Sequence, residues 1–406
     1  MTTPDAPAIV ASPEELLARY SDPDTCPADT LQTVPLAEEA AFVAWQKDIP
    51  RAYLNLSAGE LERRIRDARA ALGSKLVILG HHYQRDEVIQ FADFTGDSFK
   101  LAQHAAAQQD AEFVVFCGVH FMAESADILT RPEVRVILPN MAAGCSMADM
   151  ADPDDVYEAW DEITGTLGNA VKVIPITYMN SAASLKAFVG EREGIVCTSS
   201  NAPKTFDYAF QRGDKILFFP DQHLGRNTGY AMGIPLDEMV TWDYRRPFGG
   251  ITREELERAK VILWKGHCST HQRFTVEQVE RARQEHPGIT IMVHPECSWE
   301  VVQAADCNGS TERIIKAVSE APAGTTWGIG TEINLVNRLA KEHPDKTIFC
   351  LDPVVCPCST MYRIHPAYLA WVLEGLVAGH VVNEVRVDDA TRKWSLVALE
   401  RMLALP

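Results

Sequence analysis

From about residue 60 onward, short and nearly unbroken apolar runs alternate with helical stretches. The runs fall at 76–79, 113–116, 134–138, 171–176, 216–219, 261–264, 289–293 and 347–351. Strands apolar on both faces and separated by helices imply parallel sheets covered on each side. The stretch ahead of the first run, GELERRIRDARAAL, has the spacing of an amphipathic helix. Residues 1–60 are rich in Pro, Ala and Glu, carry short helical patterns at 13–20 and 36–45, and read as an extension packed on the surface.

The alternation contains a repeat. One copy runs LVILGHHYQ, then Thr95-Gly96-Asp97-Ser98, FVVFCGVHFM and VRVILPN, and closes at Gly144-Cys145-Ser146. A second runs VIPITYMNSAASLKAF, Cys197-Thr198-Ser199-Ser200, ILFFPDQHLG and VILWKG, closing at His267-Cys268-Ser269. The third runs IMVHPECSWEVVQAAD, Asn308-Gly309-Ser310-Thr311, TTWGIGTE and TIFCLD, closing at Cys356-Pro357-Cys358. The closing cysteines lie 64, 90 and 64 positions after His81, Tyr178 and His294 (81 to 145, 178 to 268, 294 to 358), so the middle copy carries an insertion. The expected organisation is an extension over 1–60, three homologous three-layer α/β/α domains over 61–150, 151–275 (insertion 225–260) and 276–365, and a helical tail over 366–406. The insertion reads as a lid or a surface elaboration.

In parallel sheets ligands bind beyond the carboxyl ends of the strands. Those ends here carry His81, His82 and Tyr83; His120; Tyr178 and Asn180; Asp221 and His223; His294 and Glu296; and Glu332. A lone Asp or Asn there is ordinarily a helix cap. Six polar ends in register across three units predict one polar cavity between them. Three units each offering one thiol suit a cluster or metal on a pseudo-threefold axis.

The chain of 406 residues holds 56 acidic and 38 basic side chains, a formal net charge of −18, which disfavours nucleic acid and anionic membrane surfaces as partners. No apolar run reaches the roughly 20 residues a bilayer requires, and the first residues lack a secretion signal, so a cytoplasmic protein is expected. Ten cysteines are too few for a disulfide scaffold in a chain of this length.

Cys145, Cys268 and Cys358 follow strands and sit beside small or turn-forming residues; buried structural thiols are the plainer reading. Cys350 and Cys356 are rivals for the third place. Cys117, Cys197 and Cys307 read as structural. No C-x₂-C-x₂-C run is present, so a cluster would draw ligands from separate domains and leave one iron open. Asp97-Ser98, Thr198 to Asn201 and Ser310-Thr311 occupy matching places and offer hydroxyls and helix amino ends to carboxylate or phosphate, plain capping being the alternative. Tyr178 is a candidate acid or base, and His294 with Glu296 a candidate proton shuttle.

The combination GHHYQ, GDS, GVHFMAES, TYMNSAA, CTSSNA, PDQHLGRN, WKGHCSTH, HPEC, GST and a late C-x-x-M resembles quinolinate synthase, from about residue 60 to 390. The resemblance implies a pseudo-threefold trio of α/β domains around one [4Fe-4S] cluster. It implies a transferase that condenses iminoaspartate with dihydroxyacetone phosphate to quinolinate, releasing phosphate and two waters, in NAD biosynthesis. By motif, Cys145, Cys268 and Cys358 match the cluster ligands; Tyr178, Glu296, His81, Tyr83 and His271 match catalytic positions. His81, Ser98, Tyr178, Asn180, Ser199, His294, Glu296, Ser310 and Thr311 match substrate-holding positions. An aspartate-oxidising enzyme that supplies iminoaspartate is implied as a functional partner. The alternatives are another iron–sulfur hydro-lyase acting on a small di-acid, or a non-catalytic thiolate-metal scaffold.

Overall fold

The computed structural model describes residues 33–39, 49–108, 110–354 and 357–405. The helical pattern at 13–20, that of 36–45 beyond residue 39, and Cys26 and Cys356 lie outside them.

In the first unit the strands are β1 (Leu76–His81), β2 (Phe94–Gly96), β3 (Phe113–Cys117) and β4 (Arg135–Ile137). The second contains β5 (Val173–Tyr178), β6 (Ile195–Cys197), β7 (Lys215–Phe219), β8 (Met239–Trp242) and β9 (Val261–Trp264). The third contains β10 (Thr290–Val293), β11 (Cys307–Asn308), β12 (Thr326–Gly330) and β13 (Thr347–Cys350), and β14 (Glu384–Val385) follows. The sheet orders are β14-β4-β3-β1-β2, β6-β5-β7-β9-β8 and β11-β10-β12-β13. Stripped of β8 and β14, each sheet runs second, first, third, fourth, with every pair parallel. The sequence repeat is therefore a repeat of topology, three α/β domains as expected.

Burial explains why these runs are apolar throughout. All six residues of β5 and all five of β7 are buried. In the third sheet Ile291 and Val293 pack with Val279 and Val301 on one face, while Met292 between them packs with Ile314 and Leu335 on the other. Alternate side chains of one strand thus feed two helix layers, which is the demand that removes polar alternation.

Two segments differ from expectation. Within 225–260, Gly225 already belongs to the regular helix Gln222–Ala231, and the remainder supplies β8, a fifth strand parallel to β9, and the helix Arg253–Arg258. None of it lines the central cavity, so it elaborates a sheet edge and is no lid. The segment 366–406 is not purely helical. Between the helices Pro366–Val377 and Asp389–Leu403, β14 pairs antiparallel with β4 and so belongs to the first sheet. The last helix lies against Ala183–Glu191 of the second unit so closely that a Cβ at Gly190 would stand 2.0 Å from the Trp394 carbonyl oxygen. Buried Asp127 of the first unit accepts from Val387 N at 3.0 Å and pairs with Arg386 and Arg392. The terminal segment thereby clasps two units.

His365 anchors a further junction. Its Nε2 donates to the Val34 carbonyl at 2.9 Å, its Nδ1 accepts from Ala367 N at 3.0 Å, and buried Arg85 lies nearby, paired with Glu39 at 2.5 Å. Burial, and then the Arg85 cation, lower the imidazole to about 3. The ring must stay neutral to keep Nδ1 as an acceptor. Between pH 6.5 and 3 the unfolded chain binds a proton here that the folded chain refuses, so stability is lost as pH falls, by about 1.4 kcal/mol per unit. Denaturant titrations of wild type and His365→Gln at pH 7, 6 and 5 check this. The wild-type advantage should shrink by about that amount per unit below pH 6.5; an advantage independent of pH would show that the ring is not held neutral. No helix among the described residues is long and apolar enough to cross a membrane.

Candidate active site

The carboxyl ends of all three sheets face one space of about 710 Å³, including its open mouth. It is lined by His81, Tyr83 and Ser98 from the first unit, by Tyr178, Asn180 and Ser199 from the second, and by His294, Glu296 and Thr311 from the third. Cys145, Cys268 and Cys358 line it as well, one from each repeat. Val119, Phe121 and Met122 form an apolar wall that residue-type reasoning did not single out.

Each cysteine opens a single helical turn. The carbonyls of Cys145, Cys268 and Cys358 accept from the amides of Asp149, Gln272 and Tyr362 at 3.0, 2.9 and 2.9 Å. That winding turns backbone N–H groups toward each sulfur: Met147 and Ala148 toward Cys145, His271 toward Cys268, and Thr360 and Met361 toward Cys358. Burial pushes all three thiols up, Cys145 to about 12, and the Cys145 and Cys268 thiols are pushed further by neighbouring members of the trio. Three half-buried thiols with donors already aimed at sulfur suit a shared cation. All eight described cysteines are free thiols.

A chain of hydrogen bonds crosses the floor. Tyr178 Oη donates to Glu296 Oε1 at 2.5 Å, and Glu296 Oε2 meets His271 Nδ1 at 2.7 Å. His271 Nε2 lies 3.0 Å from Thr331 Oγ1, which lies 2.8 Å from Tyr83 Oη. Burial raises the Glu296 carboxyl, but the adjacent histidines and the donors on both oxygens outweigh it and hold the group well below the usual carboxylate range. Burial and then the Glu296 charge push both Tyr83 and Tyr178 well up, so the phenols carry their protons. The carboxylate is the base of this chain and the phenols are its acids.

His81 and His294 are built alike. His81 Nδ1 accepts from Tyr83 N at 3.1 Å and His294 Nδ1 accepts from Glu296 N at 3.3 Å. That leaves Nε2 as the protonated nitrogen of each neutral ring. Burial, followed by His82 for the first and His271 for the second, lowers both to about 3. Asn180 Oδ1 is buried with no hydrogen-bond partner among the described residues, an acceptor left for a ligand.

Opposite the thiols, three helix amino ends converge: Ser98–Ala107, capped by Asp97; Ala202–Phe210, preceded by Ser199; and Thr311–Glu320, capped by Ser310. Ser310 is the expected site residue the structure keeps out of the cavity lining. Its Oγ lies 2.9 Å from Ser200 Oγ, which donates to Asp97 Oδ2 at 2.8 Å, so Ser310 closes the seam where the three units meet. His271 also stands behind the lining, holding Glu296. His120 and His223, also at strand ends, do not line the space; His223 pairs with Gln272 at 2.8 Å. Thr331 escaped notice although it follows β12 in TTWGIGTE, where a polar residue just past a strand end was the available signal.

A family model described as NadA, quinolinate synthetase A protein, matches residues 63–404. The chain belongs to the quinolinate synthase family. A quinolinate synthase of Corynebacterium glutamicum is 60% identical over 360 residues, covering 89% of this chain and 91% of that relative. Those of Acidobacterium capsulatum and a Nocardioides species are 59% and 58% identical over 355 and 366 residues. Relatives at that identity cover 87 to 89% of this chain.

Among the described residues the only set of three His, Cys, Asp or Glu donors within 4.8 Å of one another is Cys268, His271 and Glu296. The three thiols are therefore spaced more widely than ligands of one zinc ion, whose bonds to sulfur are about 2.3 Å.

Proposed function

We propose that the chain carries out the quinolinate synthase reaction, condensing iminoaspartate with dihydroxyacetone phosphate to quinolinate, phosphate and two waters, a transferase reaction without net oxidation. The carrying observation is one cavity with three thiols at one pole, three helix amino ends at the other, and a proton-bearing chain between. Cys145, Cys268 and Cys358 would hold a [4Fe-4S] cluster; their number, wide spacing and inward amides fit it better than a closed four-ligand zinc site. Such a cluster leaves one iron open as a Lewis acid for a substrate oxygen or nitrogen.

The protein groups supply the remainder. Ser98, Ser199 and Thr311 with their helix ends receive carboxylate and phosphate charge, and Asn180 Oδ1 accepts from a substrate N–H or O–H. Glu296 takes a proton from carbon next to a carbonyl, with His81 Nε2–H and the Tyr83 phenol as donors to the carbonyl oxygen. Tyr178 carries protons to leaving oxygen and is reprotonated through Glu296. The apolar wall of Val119, Phe121 and Met122 keeps water from a reactive imine. An enzyme that oxidises aspartate would supply that imine, and free thiols throughout the described residues support a reducing, cytoplasmic setting.

The test is quinolinate formation by anaerobically purified protein given dihydroxyacetone phosphate and freshly generated iminoaspartate, with iron and sulfide measured on the same sample. Product with about four irons and four sulfides per chain is expected. An intact cluster without product would favour a different hydro-lyase, and zinc without sulfide a scaffold.

A further inference from the structure

Two of the three cysteine turns are tied to the same device. Two residues beyond the third strand of its unit, after β7 and after β12, stands a fully buried carboxylate, Asp221 and Glu332. Each caps the helix that follows. Asp221 Oδ1 accepts from Leu224 N at 2.7 Å, and Glu332 Oε2 accepts from Asn334 N at 2.8 Å. Each also reaches the cysteine that follows the fourth strand. Glu332 Oε1 accepts from Cys358 N at 3.2 Å; at the equivalent place the Cys268 amide favours the Asp221 charge, although Asp221 Oδ2 has no hydrogen-bond partner within bonding distance among the described residues. The first unit departs from the pattern, because Val119 stands at this place and caps nothing with its side chain. There the Cys145 loop is held from a neighbouring unit instead: Arg363 Nη1 donates to the Ala142 carbonyl at 2.6 Å, and Asn140 bonds both Ala142 N and the Arg363 carbonyl.

We infer that Glu332 is a positioning residue for the metal-binding thiol of Cys358, fixing its amide, and hence the direction of its Cα–Cβ bond, before metal arrives, and that Asp221 serves Cys268 from the equivalent place. A cap requires only the amides at the start of its own helix. The additional bond from a cysteine amide in a distant loop to Glu332, with a second cysteine amide facing Asp221 at the equivalent place, is what capping leaves unexplained. Supporting groups behind metal ligands typically set affinity by ten- to a hundredfold. The inference rests on the reading of Cys145, Cys268 and Cys358 as cluster ligands.

The experiment compares anaerobically reconstituted wild type, Glu332→Ala, Glu332→Gln and Asp388→Ala, following the loss of visible cluster absorbance after a chelator is added, with iron and sulfide counted at the start. Asp388 caps the last helix through Ala390 N and Thr391 N, takes no bond from a cysteine amide, and controls for the loss of a cap. Glu332→Ala should lose iron about tenfold faster than wild type. Glu332→Gln, which keeps an acceptor oxygen, should stay near wild type, and Asp388→Ala should match it. A wild-type rate in Glu332→Ala, or equal acceleration in Asp388→Ala, overturns the inference. If Glu332→Ala does not fold, Asp221→Ala against Asp221→Asn asks the same question with the same readout. Cys268→Ser in the same series separates the two readings. Retained iron and sulfide there would remove the cluster assignment itself, whereas their loss there beside a slow Glu332→Ala would remove only the anchoring role.

Discussion

Tyr178→Phe should keep the fold and the full iron content and lose between about a hundredfold and ten-thousandfold in kcat, the range for removing a positioned proton-transfer group. The substitution deletes one oxygen, and its phenyl ring fills the same buried place. What it leaves is Glu296 Oε1 without the donor that now lies 2.5 Å away. The carboxylate then becomes a stronger base but has lost the phenol that relays its proton to the leaving oxygen. Because the loss falls on chemistry, KM should change far less than kcat. Steady-state kinetics under anaerobic conditions, normalised to iron, measure this. Full activity in the variant would take Tyr178 out of the reaction and return it to the role of a packing residue.

Cys268→Ser should abolish both the iron–sulfur absorbance and detectable turnover. Cys268 stands against the proton-carrying chain, its sulfur lying within 4.8 Å of donor atoms of His271 and Glu296. Serine places a hard, weakly acidic hydroxyl where a soft thiolate is required. The hydroxyl still suits the turn, whose Cys268 carbonyl accepts from Gln272 N, so the polypeptide should fold. Iron and sulfide analysis with circular dichroism on one sample separates lost cluster from lost fold. Cys117→Ser is the matching control: that thiol is buried in the first core and does not line the cavity. Equal iron loss in both would mean that folding, and no ligand, had been tested.

The apolar runs marked the long central strands well, and they missed the short ones. β2, β6 and β11 contain three, three and two residues, and each is held along the edge of its sheet by the first strand of its unit. Segments that short carry no period, so pairing alone makes them strands. β12 was read only as part of the repeat because its glycines interrupt the apolar pattern. The reason is a close approach: a Cβ at Gly328 would stand 2.9 Å from side-chain atoms of both Ile291 and Leu351. β14 contains two residues and joins a sheet whose other strands lie some 250 positions earlier. No local signal can announce such a pairing.

Within the site, residue type and place in the repeat were enough to bring out His81, Tyr178, His294, Glu296 and the three cysteines, since buried polar groups at strand ends are costly unless used. Thr331 and the partition of Ser310 from Ser98, Ser199 and Thr311 were not legible, because a hydroxyl's role depends on which neighbour reaches it. Glu332 looks in sequence like an ordinary helix cap, and only the return of the distant Cys358 amide distinguishes it. Chain chemistry alone thus pointed to three parallel α/β units, each ending in a thiol, and to the polar residues at their strand ends, whereas the acid, base and ligand roles came with the family resemblance. The tertiary structure decided which proton-bearing groups touch, which hydroxyls face the cavity and how the terminal segment binds two units together. Periodicity and residue type are properties of short stretches, whereas hydrogen-bond partners within 3 Å are set by the packing of residues a hundred or more positions apart, as Tyr178 and Glu296 are.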